Sequence, residues 1–298
     1  MSAFTIDPED PTELSPLGPP VYTMGKYPVS VAYSSKHHVT CVINSGDAAN
    51  LACFSVSDDG LCPLRDTVRS LGLTQTNPPT GPPMTPSEVL FNQEQSQLLV
   101  SIKGNATAPS IAGSIDTFLV ECSEPFTLAE CPVKSSPKDG LLTFSMTLAG
   151  NDVVFNTDPA FGVCVSKFDD NGAIVASSNT TIVGQLGTCW SSHSPRTGSF
   201  YVTDGGQPLV TELTVDYLGP VATIIASHKF EGTLGRTDQA VGSTKNGDFL
   251  YILGGKAGLV DVIALSGPGE ADEIQSFNLQ SVVPDIPISV QGMAVYAK

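Results

Sequence analysis

The chain has 298 residues, of which 41% are hydrophobic and 15% charged, and its formal net charge is −16 at pH 7. That excess of carboxylates repels phosphate backbones and argues against nucleic acid as a partner. No apolar run is long enough to span a bilayer, which argues against a membrane partner too. A small, apolar molecule is the ligand that Tyr27, Phe144, Met146 and Trp190 suit, and the composition says nothing of oligomeric state.

Taken in order, residues 4–6, the Asp7-Pro8-Glu9-Asp10-Pro11 turn and residues 14–22 predict strand, turn, strand. A four-stranded sheet is expected from residues 27–33, 39–43, 51–56 and 64–68, with Asp58-Asp59-Gly60 as its outer hairpin. Residues 72–83 make a long proline-rich connection of the kind that often serves as a lid. Further sheets are predicted to start at residues 85, 142 and 187. The fullest unit is residues 235–279: a mixed strand, the Lys245-Asn246-Gly247-Asp248 turn, a dense apolar strand ending at Gly254-Gly255, a β-branched strand, the Gly267-Pro268-Gly269 turn and a half-polar edge. Four short antiparallel strands in about 45 residues is the grammar of one propeller blade. Residues 288–296 look like an inner strand, so the two chain ends are expected to complete a composite blade. The expectation is therefore an all-β protein, one domain over residues 1–298, with six four-stranded blades, one of them shared by the termini.

Seven cysteines occur, without a CxxC or zinc-finger spacing. Cys53 and Cys62 share the spacing of Cys122 and Cys131, and Cys41 could instead face Cys53 across neighbouring strands; the pairing stays open. No basic, apolar leader follows Met1-Ser2-Ala3, which predicts a chain without an export signal. The cysteines and the sequons at Asn105 and Asn179 would nonetheless suit secretion.

In a propeller, loops at one end of the innermost strands gather where ligands bind. Inner-strand positions offer Tyr27, Glu88, Phe144, Ser145, Thr188, Trp190, Arg236, Asp238 and Gln291, and the loops after the second strands offer Asn44, Lys103, Asp158, Asp204 and Lys256. Asp158-Pro159 and Asp204-Gly205-Gly206 are equally good turn chemistry. Glu88 and Asp238 are harder to explain as scaffold, because a carboxylate facing a narrow space needs water, a cation or a proton. If Glu88, Asp158, Asp204 and Asp238 converged they could hold a Ca²⁺-like cation. No GxSxG elbow or serine–histidine–aspartate order is present.

The segments Gly25-Lys26-Tyr27-Pro28-Val29-Ser30-Val31-Ala32, Arg69-Ser70-Leu71-Gly72-Leu73, Gly140-Leu141-Leu142-Thr143-Phe144-Ser145-Met146-Thr147 and Cys189-Trp190-Ser191-Ser192-His193-Ser194-Pro195 resemble a fungal propeller family. Its members are labelled 3-carboxymuconate-cyclase-like, within the lactonase-type seven-bladed propellers. Substrates with several carboxylates or a phosphate favour an arginine-rich pocket, whereas this chain has four arginines, of which only Arg236 is expected to reach the binding end. The group is also similar to the hetero-Diels–Alderases of tropolone–sesquiterpenoid pathways. That resemblance implies a site without metal or other cofactor that assists loss of water and then a [4+2] cycloaddition. By strand register rather than any family motif, Glu88 or Asp238 is expected as its acid–base group, Lys103, Ser145 or Thr188 as donors, and Tyr27, Phe144 and Trp190 as an apolar wall, with Met146, Asp204, Arg236 and Gln291 as further substrate-binding residues. A lactonase-type hydrolase, with or without a metal, and a non-catalytic binding propeller are the alternatives.

Overall fold

The computed structural model describes residues 1–107, 110–150, 152–230, 235–284 and 290–296. It is built from antiparallel sheets that follow one another along the chain. A hairpin comes first, β1 (Ala3–Ile6) with β2 (Leu14–Leu17). Sheet 1 is β3 (Lys26–Ser34), β4 (Val39–Ser45), β5 (Asn50–Ser57) and β6 (Gly60–Ser70). Sheet 2 is β7 (Pro86–Phe91), β8 (Gln97–Ile102), β9 (Ser114–Ser123) and β10 (Phe126–Leu128), with β11 (Val133–Ser135) also paired to β9. Sheet 3 is β12 (Met146–Leu148), β13 (Val153–Asp158), β14 (Gly162–Phe168) and β15 (Ile174–Thr181). Sheet 4 is β16 (Thr188–His193), β17 (Phe200–Asp204), β18 (Leu209–Asp216) and β19 (Val221–Lys229). Sheet 5 is β20 (Arg236–Thr244), β21 (Gly247–Gly254), β22 (Leu259–Gly267) and β23 (Glu270–Asn278). Each is an up-and-down meander, the repeat expected from the spacing of apolar runs and glycine turns.

Within each sheet the second and third strands carry the core. In β4 every residue is buried, as in β8, β13 and β17, whereas the last strands β15, β19 and β23 are largely exposed. This is why the middle strands read as unbroken apolar or small residues and the fourth as half-polar edges. The chain divides into two compact units, Met1–Thr143 with Phe168–Val175, and Phe144–Lys167 with Ala176–Lys298. In the first, Ile43, Leu51, Leu98, Val100 and Phe118 form the core. In the second, Phe155 stacks on Phe200 at 4.8 Å, and a further cluster joins Tyr201, Phe230, Leu250 and Ile263.

The structure bears on three expectations. Residues 288 and 289 lie outside the described residues, and residues 290–296 form no strand, while β1 and β2 pair with each other; a composite sheet from the termini is therefore not seen among the described residues. The reason at the front end is local: the Met1 amino group donates to the Val21 carbonyl at 2.8 Å and closes the hairpin on itself. Gly18 and Gly60, both at positive φ, then pack so closely that a Cβ on Gly18 would lie 2.4 Å from the Asp59 carbonyl oxygen. Second, the disulfide is Cys41–Cys53, directly opposed residues of β4 and β5; Cys62, Cys122 and Cys131 are free, so the nine-residue spacing carries no bridge. Cys62 instead faces Ser55, and Cys131 falls between β10 and β11. Third, the 72–83 connection is anchored: Gln75 Oε1 accepts from Ser45 Oγ and the Gly46 N–H, and Gln75 Nε2 donates to the Met84 carbonyl.

Candidate functional site

Four of the anticipated residues belong to the first unit. Glu88, on β7, is half-buried, and its N–H donates to Ser101 Oγ at 3.0 Å where the β7–β8 ladder is irregular. Lys103 Nζ donates to Thr85 Oγ1 at 3.3 Å. Tyr27 is exposed, at a φ of 51°, where the β3–β4 register slips. Asn44 is fully buried and structural: its Nδ2 donates to the Thr23 carbonyl and to Asn50 Oδ1.

In the second unit Phe144 and Ser145 meet β16 at Trp190 and Ser191. The first strands of sheets 3, 4 and 5 pack in succession, β12 against β16 and β16 against β20. Phe144 and Trp190 meet with ring centroids 5.1 Å apart, both half-buried. Beside them Ser191 Oγ sits 2.8 Å from both Ser145 Oγ and Thr147 Oγ1, and the Ser191 N–H donates to Ser145 Oγ at 3.0 Å. The hydroxyl cluster arises because β16 slips register between Thr188 and Ser191, turning a backbone N–H towards β12 rather than its own ladder. Met146 is buried beneath this surface. The Trp190 carbonyl accepts from Gln239 Nε2 at 3.3 Å, which ties β16 to β20.

Asp238 is the chemically distinctive group. It lies on β20 and is only 3% exposed. Its Oδ1 accepts the Gln239 N–H at 2.8 Å and its Oδ2 the Gly292 N–H at 2.9 Å, with the Met293 N–H also bonded to it. No ion pair to Asp238 occurs among the described residues. Burial pushes its pKa up to about 6 despite those N–H groups, so the carboxyl exchanges a proton close to neutrality.

The remaining candidates are scaffold. Asp204 accepts the N–H groups of Leu186 and Gly206, and Asp158 Oδ1 accepts that of Ala160: both cap turns. Thr188 donates its N–H and its hydroxyl to Gln185 Oε1. Gln291 is exposed in the non-strand segment 290–296, not on an inner strand. Arg236 does not reach an open surface: it is fully buried, its Nη2 bonded to Asp261 Oδ2 at 3.0 Å and its guanidinium 5.5 Å from the Phe230 ring. Lys256 lays its aliphatic stem against Gly235. Nor do the four carboxylates considered for a cation converge, since no group of three or more His, Cys, Asp or Glu among the described residues could hold a metal ion.

Sequence reasoning missed Ser191 and Thr147, which carry no motif, and the Gly292 and Met293 N–H groups, whose partner is 54 residues from Gly292. It also missed the buried group around Glu212, fully enclosed on β18. Glu212 accepts from Tyr201 Oη at 3.2 Å and the Gly269 N–H at 3.0 Å, and pairs with His228 Nε2 at 2.7 Å. Burial pushes the Glu212 carboxyl up, but bonds from Ser199, Gly269 and His228 outweigh it and hold the pKa below the usual range.

No protein-family model matches the sequence. A search of curated proteins likewise finds no match. Among solved structures, a protein from Lactobacillus plantarum superposes with a TM-score of 0.69 at 16% identity, over 93% of this chain and 77% of its own. A candidate 6-phosphogluconolactonase from Bacteroides uniformis gives 0.56 at 12% identity, over 97% of this chain and 94% of its own. The WD40 β-propeller domain of Doa1 gives 0.52 at 11%, over 85% and 69%. At these identities the likeness is one of architecture, and it agrees with the repeated four-stranded meanders: the fold is all-β, of the β-propeller type.

Proposed function

We propose that this chain is a lactonase-type hydrolase acting on a weakly charged lactone, with Asp238 as its acid–base group. The observation that carries the reading is a nearly enclosed carboxyl whose pKa stands at about 6 on the first strand of a propeller sheet. Its carboxylate takes a proton from water as the water oxygen bonds to the acyl carbon. The ring C–O bond then breaks and the same proton passes to the departing alkoxide, leaving a hydroxy acid. The clustered hydroxyls of Ser145, Thr147 and Ser191 are suited to hydrogen-bond a carbonyl or ring oxygen, and Phe144 with Trp190 to bound an apolar ring.

The likeness to a candidate 6-phosphogluconolactonase supports the reaction class more than the substrate. Phosphate recognition favours free arginines, yet Arg236 is paired with Asp261, Arg69 donates to the carbonyls of Leu128 and Ala129, and Arg196 is held by Asp248 and Thr244. An uncharged γ- or δ-lactone fits better. A second reading, a cyclase that promotes dehydration and cycloaddition, draws on the Phe144–Trp190 pair, which would suit a planar conjugated substrate.

Proton release from a panel of neutral and phosphorylated lactones tests both. Ring opening of a neutral lactone that rises with pH through an inflection near 6, and is abolished in Asp238→Asn, is the expected result. Equal rates in wild type and Asp238→Asn would overturn it. Turnover of a hydroxymethyl-tropolone with a humulene-type alkene, in place of any lactone, would select the cyclase.

A further inference from the structure

Residues 290–296 have an unusual seat. They have no ladder partner among the described residues, and Gln291, Gly292, Ala294, Val295 and Tyr296 are exposed. Yet they lie tightly on sheet 5 at two glycines. A Cβ on Gly255, just beyond β21, would stand 2.3 Å from the Val290 carbonyl oxygen, and a Cβ on Gly242, in β20, would stand 2.8 Å from Val295 Cγ1. Neither glycine has a positive φ, so close approach rather than backbone conformation is what excludes a larger side chain there. Between these two contacts the segment delivers the Gly292 and Met293 N–H groups to the Asp238 carboxyl. Gly292 itself is at φ 89°, a conformation that lets its N–H point at the carboxyl as the chain passes over it.

We propose that residues 290–296 are a strap, seated on Gly242 and Gly255, that closes over Asp238 and lifts to admit substrate. This rests on Asp238 being the acid–base group of the site. With the strap down, the carboxyl keeps three N–H donors and is sealed from solvent. With it raised, Asp238 retains only the Gln239 N–H of its own strand and can engage a substrate hydroxyl or water in place of the two that left. The segment can lift because no sheet ladder opposes it, whereas the residues of β20 are fixed by pairing to β21.

The test is carbodiimide coupling of an amine to carboxyl side chains of the full-length protein, read residue by residue by peptide mass spectrometry, with exposed Asp272 as the internal standard. Wild-type Asp238 is expected to react far more slowly than Asp272. Gly255→Val removes the seat and Gly292→Pro removes the donor and the backbone conformation. Each is expected to raise Asp238 labelling about tenfold or more relative to Asp272. Gly247→Ala, where a Cβ meets nothing closer than 3.9 Å, should label like wild type. Should Gly255→Val fail to fold, Gly292→Pro, at an exposed position, carries the test. Unchanged labelling in a folded Gly292→Pro variant, or rapid labelling of wild type, overturns the strap. The readout needs no turnover: raised labelling without lactone opening in any variant would keep the strap and remove the hydrolase.

Discussion

Because Asp238 is almost sealed, its protonation is coupled to folding, and Asp238→Asn makes the coupling measurable. In the native protein the carboxyl keeps its proton until about pH 6, whereas in the unfolded chain it gives it up near the ordinary aspartate value of 3.8. The native state therefore binds more protons between those values, and stability falls as pH rises through the window. The contribution is complete below the unfolded pKa and gone above the folded one. A little over two decades of proton affinity, at about 1.4 kcal/mol per decade, makes the whole effect about 3 kcal/mol. Roughly 2 kcal/mol of it falls between about pH 4.5 and 7, where urea melts are practical. Asparagine imitates the protonated carboxyl, so the stability of wild type minus that of Asp238→Asn should decline by that amount across the range. A flat difference, or one that grows with pH, would mean the carboxyl is already ionised and solvated in the folded protein. The acid–base assignment would then lose its physical basis.

Three further outcomes follow from the buried contacts. Glu212→Ala should cost about 3 kcal/mol in urea at neutral pH, because it strips the partner from Tyr201, His228 and the Gly269 N–H. Since the Glu212 carboxyl is held below its usual range, its stabilising share is present above the ordinary glutamate value of 4.5 and disappears as acid protonates it; the gap between wild type and variant should narrow below that pH. Cys41→Ala with Cys53→Ala opens a loop with a sequence separation of 12 and should cost about 3 kcal/mol by the chain-entropy relation, seen as a lower urea midpoint at unchanged slope. Arg236→Met leaves Asp261 buried without its cation and should cost roughly 3–5 kcal/mol, while adding Asp261→Leu should recover most of the loss in a double-mutant cycle.

The repeat was legible because its physics is local. A blade's second strand is its most buried, β4 and β13 on both faces and β21 mainly on one, so these strands read as apolar runs closed by turns, and the four-strand period follows. The ends were not legible for the same reason. Residues 288–296 alternate as an inner strand should, and nothing within such a stretch says whether its N–H groups will find a ladder or a carboxylate. Here the Gly292 and Met293 N–H groups find Asp238, far away in the chain, and residues 290–296 form no strand. Cysteine spacing left the pairing open for a related reason. Opposition across β4 and β5 depends on register, so a separation of 12 bridges where a separation of nine does not.

The site shows where residue type suffices and where it does not. Asp158, Asp204 and Asp238 all looked like acidic groups at the binding end, and turn chemistry already offered a second account of the first two. What separates them is the origin of their partners. Asp204 is satisfied by Leu186 and Gly206 N–H groups of nearby turns, and Asp158 by an N–H two residues on. Those bonds tie each carboxylate to the turns around it. Asp238 takes one N–H from its own strand and the others from a segment held by little else, while burial acts against its charge. A carboxyl whose charge is opposed by burial and whose donors can leave is one whose proton is available for chemistry. Asp238 meets that criterion, and the strap over it is where a ligand would be felt first.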